Sequence, residues 1–375
     1  MRIKIAVSLI TPLLIMSNVS AATTEHSLTL TPLKINDKVS TLMLYQRSLS
    51  NVLLAYDSDN TGAPRQGVWQ STDNGESWSE VVKNQKTGWD QIAFEQQKGE
   101  PDVAVALIKN RLSKSTDAGV SWSPYIDSTC NMDVNLKKNW GRITFIPGSS
   151  SMMFLEHTTG SQDKMYVSTD QGKTCQPSTL NNGLGNWEIT SSNNGDVILA
   201  ASNGKIERSN DHGKSWQRAE FLDPKTLPSS YDTLSISFDP NDNSKVYAVD
   251  TEADIDSKTS SLLWYSRDYG KTWEACSYDD TTPHTHFTSP VYVINKGKNL
   301  LFLDIGKFKV TGGDIISPNV EDIKLNSDTK LDDGFISGWA PQAFDAKNNQ
   351  MIVSHIVEKE GNPEPTQITY LAQIN

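Results

Sequence analysis

An octapeptide with the pattern Ser-x-Asp-x-Gly-x-(Ser/Thr)-Trp constrains the fold of this chain more than any other feature of its sequence. Four copies fit the pattern, and a fifth has cysteine in the tryptophan position. The copies are Ser71–Trp78, Ser115–Trp122, Ser168–Cys175, Ser209–Trp216 and Ser266–Trp273. Their first residues lie 44, 53, 41 and 57 positions apart. Five copies of so specific a motif indicate a repeat architecture with one supersecondary unit per copy.

The residue types of the octapeptide are those of a tight turn. An Asp side chain accepts hydrogen bonds from backbone N–H groups a few residues further on, which closes a turn locally. Glycine supplies a position at which a positive φ costs little. Short apolar patterns that are typical of strands flank the copies, as in Gly67–Gln70 before the first turn and Ser77–Val82 after its start. Each octapeptide is therefore predicted to connect two strands of a hairpin.

Two further strand patterns precede each hairpin, for example Asp90–Phe94 and Val103–Ile108 in the second unit. Four strands in each such repeat is the period of a β-propeller blade. Two later units lack a clean octapeptide, and the last ends one strand short, whereas Ser27–Lys34 forms an unassigned strand pattern. We therefore predict an all-β chain: a single β-propeller of four-stranded blades, with seven blades closed by the N-terminal strand. Six or eight blades also fit the degenerate last units.

The octapeptides resemble the Asp-box, or BNR, repeats of sialidases and sortilin-type propellers. In that superfamily the box connects the third and fourth strands of a blade on the outer rim, away from the ligand face. The resemblance therefore implies a structural rather than catalytic role for the five box aspartates. These are Asp73, Asp117, Asp170, Asp211 and Asp268.

The same resemblance raises the possibility of a sialidase. That family also carries an Arg-Ile-Pro motif, three arginines that clamp a carboxylate, a Tyr–Glu nucleophile pair and an Asp acid/base. Forked guanidinium groups suit a planar carboxylate, so the clamp is a physical requirement. Here the segment before the first box offers only Ala63-Pro64-Arg65 and Arg47, and Arg142 is the one arginine on a predicted innermost strand. The sialidase catalytic set is therefore not predicted.

The N-terminus has the pattern of a secretory signal. Arg2 and Lys4 precede the apolar run Ile5–Met16, and small residues end at Ala22. We predict a signal peptide over residues 1–22, a propeller domain over 23–375, and a periplasmic or secreted mature chain without a transmembrane segment. The formal charge of −11 does not favour a nucleic-acid partner.

The chain has three cysteines, and an oxidising compartment would allow one disulfide among them. Cys175 occupies the tryptophan position of the third box, and Cys130 follows the second box. A Cys130–Cys175 link would replace apolar packing by a covalent bond; Cys175–Cys276 and no disulfide are the alternatives. The cysteines lack metal-site spacing, and His284 and His286 have no evident third ligand. No metal or cofactor is therefore predicted.

Aromatic residues, often beside a charged one, recur just before the predicted innermost strands. Such positions lie at the central funnel of a propeller, where stacking faces and acceptors would suit a sugar or peptide. The alternative is that the aromatics pack between blades and never meet solvent. The candidate ligand residues are Trp89, Asp90, Trp140, Arg142, Trp187, Glu188, Tyr231, Asp232, His286 and Trp339.

These observations favour an exported, non-catalytic propeller that recognises a protein or glycan ligand through its central face. A glycosidase that uses the carboxylates Asp90, Glu188 and Asp232 is the first alternative, since paired carboxylates hydrolyse glycosides. The second alternative is an envelope assembly factor. Photosystem-assembly propellers are similar in size, but they carry an arginine-rich patch that this sequence lacks.

Overall fold

The computed structural model describes most of the predicted strands and every octapeptide except two residues of the first. The described residues are 27–33, 42–46, 53–57, 67–73, 76–83, 89–94, 103–108, 111–125, 129–130, 139–146, 150–158, 164–180, 188–202, 204–223, 234–250, 263–276, 292–294, 299–304, 307–312, 319–322, 324–325, 335–345, 349–358 and 366–375. The predicted signal peptide lies outside them.

The described residues form strands and turns, arranged in seven sheets, and the all-β prediction is confirmed. The first sheet contains β2 (Leu42–Gln46), β3 (Leu53–Asp57), β4 (Gly67–Ser71) and β5 (Ser79–Lys83). The second contains β6 (Trp89–Phe94), β7 (Ala104–Ile108), β8 (Arg111–Ser115) and β9 (Ser123–Pro124). The third contains β10 (Asn139–Phe145), β11 (Met152–Thr158), β12 (Lys164–Ser168) and β13 (Gln176–Pro177).

The fourth to seventh sheets follow the same plan, and two of them have a fifth strand. The fourth contains β14 (Glu188–Ser191), β15 (Ile198–Ser202), β16 (Lys205–Ser209) and β17 (Gln217–Arg218). The fifth contains β18 (Glu220–Phe221), β19 (Leu234–Asp239), β20 (Asp242–Asp250), β21 (Leu263–Ser266) and β22 (Thr272–Ala275). The sixth contains β23 (Tyr292–Ile294), β24 (Asn299–Asp304), β25 (Lys307–Gly312) and β26 (Asn319–Asp322). The seventh contains β1 (Ser27–Pro32), β27 (Lys324–Leu325), β28 (Phe335–Asp345), β29 (Gln350–Glu358) and β30 (Thr366–Ile374).

In each sheet the strands that follow one another in the chain pair antiparallel, apart from the added fifth strands. The first long strand of one sheet contacts the first long strand of the next: β2 contacts β6, β6 contacts β10, β14 contacts β19, and β19 contacts β23. The first strand of the last sheet, β28, contacts β2. The octapeptides connect the third strand to the fourth, so they lie at the opposite side of each sheet from these contacts. We call the first long strands the innermost strands.

The N-terminal strand β1 belongs to the last sheet. Leu28 to Pro32 pair antiparallel with β30, and the N–H of Asn375 donates to the carbonyl of Ser27 at 2.9 Å. Leu28 is fully buried and Leu30 nearly so. On its other edge β1 pairs in parallel with β27. The polar composition of the segment 324–333 predicts a loop, and this prediction is wrong for Lys324 and Leu325, because the partner strand β1 is distant in the sequence and leaves no local pattern.

The apolar core lies between adjacent sheets. One cluster joins Val105 and Leu112 of the second sheet to Phe154 of the third. A second joins Met153 and Val167 of the third sheet to Ile198 of the fourth. A third joins the fourth sheet to the fifth around the fully buried Trp264 and Trp273. The third and fourth sheets therefore contribute both of their faces to the core, which explains the dense apolar content of central strands such as β15.

Proline occupies the outermost strand in the second and third sheets. Pro124 pairs with Ser113 in β8, and Pro177 pairs with Tyr166 in β12. Proline lacks an N–H group and is found in sheets mainly at edges, where it discourages pairing with another chain. These outer edges are therefore poor sites for adding a strand.

Candidate functional site

The five octapeptides form the same turn, and in each of them the turn donates three hydrogen bonds to the aspartate carboxylate. In the second, Ser115 Oγ donates to Asp117 Oδ1 at 2.7 Å, and the N–H and hydroxyl of Ser121 donate to the two carboxylate oxygens at 2.9 and 2.6 Å. Ser115 Oγ in turn accepts from the N–H of Gly119 at 2.8 Å. The same three bonds to the aspartate recur in the other four copies.

These hydrogen bonds hold the box aspartates ionised. The hydroxyl and then the N–H of Ser77 lower the pKa of Asp73 to about 2. Burial acts to raise the pKa of the other four aspartates, but the hydrogen bonds from each turn outweigh it, so these pKa values also lie below the usual range. A carboxylate that accepts three local bonds and resists protonation is a poor general acid.

In the second to fifth boxes, the fourth and fifth residues both have positive φ. One of their two backbone carbonyls accepts a hydrogen bond from a side chain of the preceding sheet. In the second box the two residues are Ala118 (φ 56°) and Gly119 (φ 89°). Ala118 O accepts from Gln70 Nε2 of the first sheet at 2.8 Å. The equivalent donors at the next three junctions are Tyr125 Oη to Gln171 O (2.9 Å), Ser178 Oγ to Gly213 O (2.5 Å) and Arg208 Nε to Tyr269 O (2.9 Å). The boxes thus join neighbouring sheets on the outer side.

Of the ten candidate ligand residues, the structure places six on innermost strands. Trp89 and Asp90 begin β6, Trp140 and Arg142 lie in β10, Glu188 begins β14, and Trp339 lies in β28. The other four, Trp187, Tyr231, Asp232 and His286, lie outside the described residues. Because β6 contacts β10 and β28 contacts β2, the innermost strands bring residues from distant parts of the sequence to the same side of the sheets.

Trp339 does not precede its strand as expected. It is the fifth residue of the 11-residue strand β28, which runs through Gly338 and Pro341. The register shifts between Ile336 and Trp339 and again between Pro341 and Ala343. β-Bulges accommodate glycine and proline inside a strand, so β28 begins before Trp339.

The aromatics also do not share one register. We count paired residues along each innermost strand from the residue at its box end. From Phe94, which pairs with Ala104, Trp89 is the fourth paired residue, because a bulge leaves Asp90 unpaired. From Phe145, which pairs with Met152, Trp140 is the fifth. Ala104 and Met152 are equivalent, since each pairs with the serine that opens a box. Trp89 and Trp140 therefore do not occupy equivalent positions on their strands. A difference of one paired position assigns a residue to the opposite face of a sheet.

Polar residues occupy one equivalent position on four successive innermost strands. On each strand this position lies three paired residues before the residue at the box end of the ladder (Phe94, Phe145, Ser191 or Phe238). We call the four residues the polar rung; they are Gln91, Arg142, Glu188 and Ser235. Gln91 and Ser235 were not among the candidates. The sequence could have located them only by following the strand pairs from the serine of each box to the second and then to the innermost strand. That requires knowledge of where each strand ends and of the bulge at Asp90.

Glu188 is the rung member whose contacts are described most fully. Its Oε1 accepts from Ser235 Oγ at 2.8 Å and from the N–H of Ile236 at 3.3 Å. Ser235 is buried, while Glu188 is half-buried. The carboxylate therefore links the innermost strands of the fourth and fifth sheets. Neighbours on the rung are thus within direct side-chain reach of each other at this junction.

The structure joins Cys130 to Cys175 by a disulfide, and Cys276 is a buried free thiol. Within the described residues, no three His, Cys, Asp or Glu side chains are grouped to hold a metal ion. In the same part of the chain, no helix is long and apolar enough to cross a membrane.

Comparison with known proteins agrees with this architecture. Residues 163–304 match the family described as Sortilin-Vps10 (Sortilin, neurotensin receptor 3). No curated protein sequence matches the chain. The chain has a β-propeller fold, and residues 163–304 resemble the sortilin family. The propeller fold and the family resemblance expected from the octapeptides are thereby confirmed.

Solved structures with the same fold have diverse roles. An ancestral GH74 enzyme is 16% identical with a TM-score of 0.55, over 90% of this propeller but 47% of that chain. YCF48 bound to D1 peptide is 13% identical with a TM-score of 0.53, over 94% of this propeller and 98% of that chain. The extracellular domain of a hybrid two component system from B. thetaiotaomicron is 10% identical with a TM-score of 0.54, over 91% and 39%. This propeller thus spans about half of the GH74 enzyme and nearly all of YCF48.

Proposed function

We propose that this propeller is an exported, non-catalytic binding protein that recognises a polypeptide or glycan through the side formed by its innermost strands. The observation that carries the proposal is the placement of aromatic and charged residues on those strands. In this proposal Trp89, Trp140 and Trp339 would supply stacking surfaces, and Gln91 and Arg142 would supply hydrogen-bonding groups. Aromatic anchors beside polar groups are typical of recognition surfaces.

The box aspartates support a non-catalytic role by elimination. They are the most regular acidic residues of the chain, yet each is engaged by its own turn and lies on the outer side. Glu188, a carboxylate of the glycosidase alternative, already bridges two sheets through Oε1. These hydrogen bonds give the box aspartates and Glu188 a structural role.

A polypeptide is the first ligand class to test. The solved structure of YCF48 contains a bound D1 peptide, and that chain is matched along nearly its whole length. The GH74 enzyme, by contrast, is matched along less than half of its length. A hydrolase and an assembly factor are therefore the alternatives that the experiment has to separate.

The experiment presents the mature chain, residues 23–375, to a peptide array and a glycan array, and then measures the mass of each captured ligand after prolonged incubation. We expect saturable binding to one array and an unchanged ligand mass. Shortened ligand products would contradict the non-catalytic proposal. Absence of binding to both arrays, together with capture of a folded envelope protein complex, would favour the assembly factor.

A further inference from the structure

The third box differs from the other boxes in the residue that ends it. In the second, fourth and fifth boxes, an indole N–H donates to the carbonyl of the box glycine: Trp122 to Gly119, Trp216 to Gly213 and Trp273 to Gly270, at 2.9 to 3.0 Å. Trp216 Nε1 also donates at 2.8 Å to Ser178 Oγ, which belongs to the preceding blade. The tryptophan thus helps to hold two blades together, and Cys175 has no indole with which to do so.

Three bonds cross the junction of the second and third blades. The N–H of Thr129 donates to Lys173 O at 3.0 Å, a backbone bond that recurs at the next two junctions. The bonds particular to this junction involve Cys175, whose N–H donates to Thr129 Oγ1 at 2.9 Å. Next to them, the disulfide joins Cys130 to Cys175 with their Cα atoms 4.9 Å apart. Residues 129–130 come from the connection after the second blade, so all three bonds cross the same junction.

The covalent bond is anchored in the core of that junction. Cys130 is 7% exposed and belongs to the cluster that contains Val105 of the second blade and Phe154 of the third. Cys175 packs against the same cluster. Tyr125 strengthens the junction nearby, where its hydroxyl donates to Gln171 O. The disulfide is therefore built into the packing of the junction rather than attached to an exposed loop.

The order of the cysteines bears on how this bond forms. Cys130 and Cys175 are consecutive, and Cys276 comes 101 residues after Cys175 in a chain with three cysteines. Cys276 is 5% exposed and lies outside the disulfide. The Cys130–Cys175 pair closes the shortest loop that the three cysteines allow, so loop-closure entropy favours it over either pairing with Cys276.

We propose that the Cys130–Cys175 disulfide is a redox-dependent latch between the second and third blades, and that a thiol–disulfide oxidoreductase with an oxidised active-site disulfide is the partner that forms it. One cysteine thiolate attacks the partner's disulfide and forms a mixed disulfide, and the other cysteine thiolate then displaces the partner's sulfur. The chain loses two electrons and two protons. The partner's disulfide is reduced to two thiols, so the reaction balances.

The latch lies on the outer side of the two blades whose innermost strands, β6 and β10, contact each other. These strands carry Trp89, Asp90, Trp140 and Arg142. Reduction is therefore expected to loosen the blades on which four candidate ligand residues lie. The latch itself is independent of the ligand, and its test uses the unliganded chain.

The first measurement compares the thermal unfolding midpoint of the oxidised chain with that of the chain kept in a phosphine reductant. The disulfide closes a loop of about 46 residues, for which the chain-entropy relation and the unfolding entropy of a chain of this size give a midpoint about 5 °C lower after reduction. Cys276→Ser is the matched control and should respond to reductant as the wild type does. Equal midpoints in the two redox states would overturn the latch.

Two further measurements separate a latch from a general loss of stability. The double variant Cys130→Ala/Cys175→Trp restores the indole, so its midpoint should exceed that of Cys130→Ala alone and be unaffected by reductant. In hydrogen exchange of the folded, reduced wild type, peptides covering 111–125 and 164–180 should lose protection before those covering 198–209. Uniform loss of protection, or no benefit from the tryptophan, would contradict the proposal.

The partner is tested by refolding the denatured, reduced chain with an oxidised thioredoxin-fold oxidase and mapping its disulfides by mass spectrometry. We expect Cys130–Cys175 as the main product, at equal yield in the wild type and in Cys276→Ser, with one equivalent of partner reduced. A majority of products containing Cys276, or a need for an added isomerase, would refute direct formation of the Cys130–Cys175 disulfide by the oxidase.

Discussion

The junction between the fourth and fifth blades offers a sharp test of the packing described above, because Gly270 has no room for a side chain. Its φ is +76°, and a Cβ atom there would lie 2.6 Å from Leu199 Cδ1 and 2.8 Å from Leu199 Cδ2. Leu199 is fully buried in β15 of the preceding blade. Gly270→Ala therefore forces a core residue of one blade away from the box of the next.

The chain supplies a matched control in Gly172, the equivalent residue of the third box. Its φ is +85°, but a Cβ atom there would lie 3.4 Å from its nearest neighbour, Phe154 Cζ, which is an ordinary contact. Both substitutions incur the backbone cost of a side chain at positive φ, about 1–2 kcal/mol. Only Gly270→Ala adds overpacking, which typically costs about 1–3 kcal/mol.

The assay is chemical denaturation followed by far-UV circular dichroism, with the free energy of unfolding compared among the wild type and the two variants. We expect Gly172→Ala to lower this free energy by about 1–2 kcal/mol and Gly270→Ala by about 2–5 kcal/mol. In a double-mutant cycle, Leu199→Ala should cost less free energy of unfolding in the Gly270→Ala background than in the wild type, because it removes the overpacking. Equal losses for the two glycine variants would refute the proposed close packing of the fifth box on the fourth blade.

Three further predictions concern the boxes and the N-terminal strand. Asp117→Ala should lower the free energy of unfolding by about 1–3 kcal/mol through unsatisfied turn donors, and ligand affinity measured by calorimetry on the folded protein should not change; a lost affinity with intact stability would contradict the structural role. Because the box aspartates have lowered pKa values in the folded state, their contribution is complete above the unfolded pKa of about 4 and is lost as the pH falls towards 2; thermal midpoints from pH 6 to 2 should therefore fall, and a flat profile would exclude this linkage. Deleting residues 23–36 removes β1 and leaves β30 with an unpaired edge, which should cost several kcal/mol; an unchanged thermal midpoint would show that β1 is dispensable.

The repeat could be predicted from the sequence because the octapeptide is a local structure. Its serine, aspartate and glycine interact with one another within a few residues, so the residue types alone specify the turn. The same holds for the four-strand period, which follows from the spacing of the turns and the strand patterns before them. A repeated turn motif can therefore be recognised in the sequence without knowledge of the tertiary structure.

The contacts between blades could not be predicted in the same way. The side chains that bind the box carbonyls are glutamine, tyrosine, serine and arginine, so no residue pattern identifies them. Their positions are more regular than their chemistry: Gln70 and Arg208 directly precede a box, and Tyr125 and Ser178 follow a box by three residues. At these four junctions the donor therefore occupies one of two places relative to a box, although its residue type changes each time.

Bulges account for the part of the candidate site that the sequence misplaced. A bulge at Asp90 moves Trp89 by one rung relative to Trp140, and two bulges carry β28 past Gly338 and Pro341. A strand pattern with a period of two cannot reveal an inserted residue. The polar rung that includes Arg142 and Glu188 emerges only after the ladders have been counted.

The most direct test of the proposed function measures ligand affinity and stability together for Trp140→Ala and Trp339→Ala, with Trp122→Ala as the control on the outer side. Recognition through the innermost strands predicts that the first two variants each weaken binding by about 1–3 kcal/mol with little loss of stability. The control should lose stability and keep the affinity of the folded protein. A loss of about 3–5 kcal/mol of stability in Trp140→Ala and Trp339→Ala, with unchanged affinity of the folded fraction, would contradict the account and identify both tryptophans as packing residues between blades.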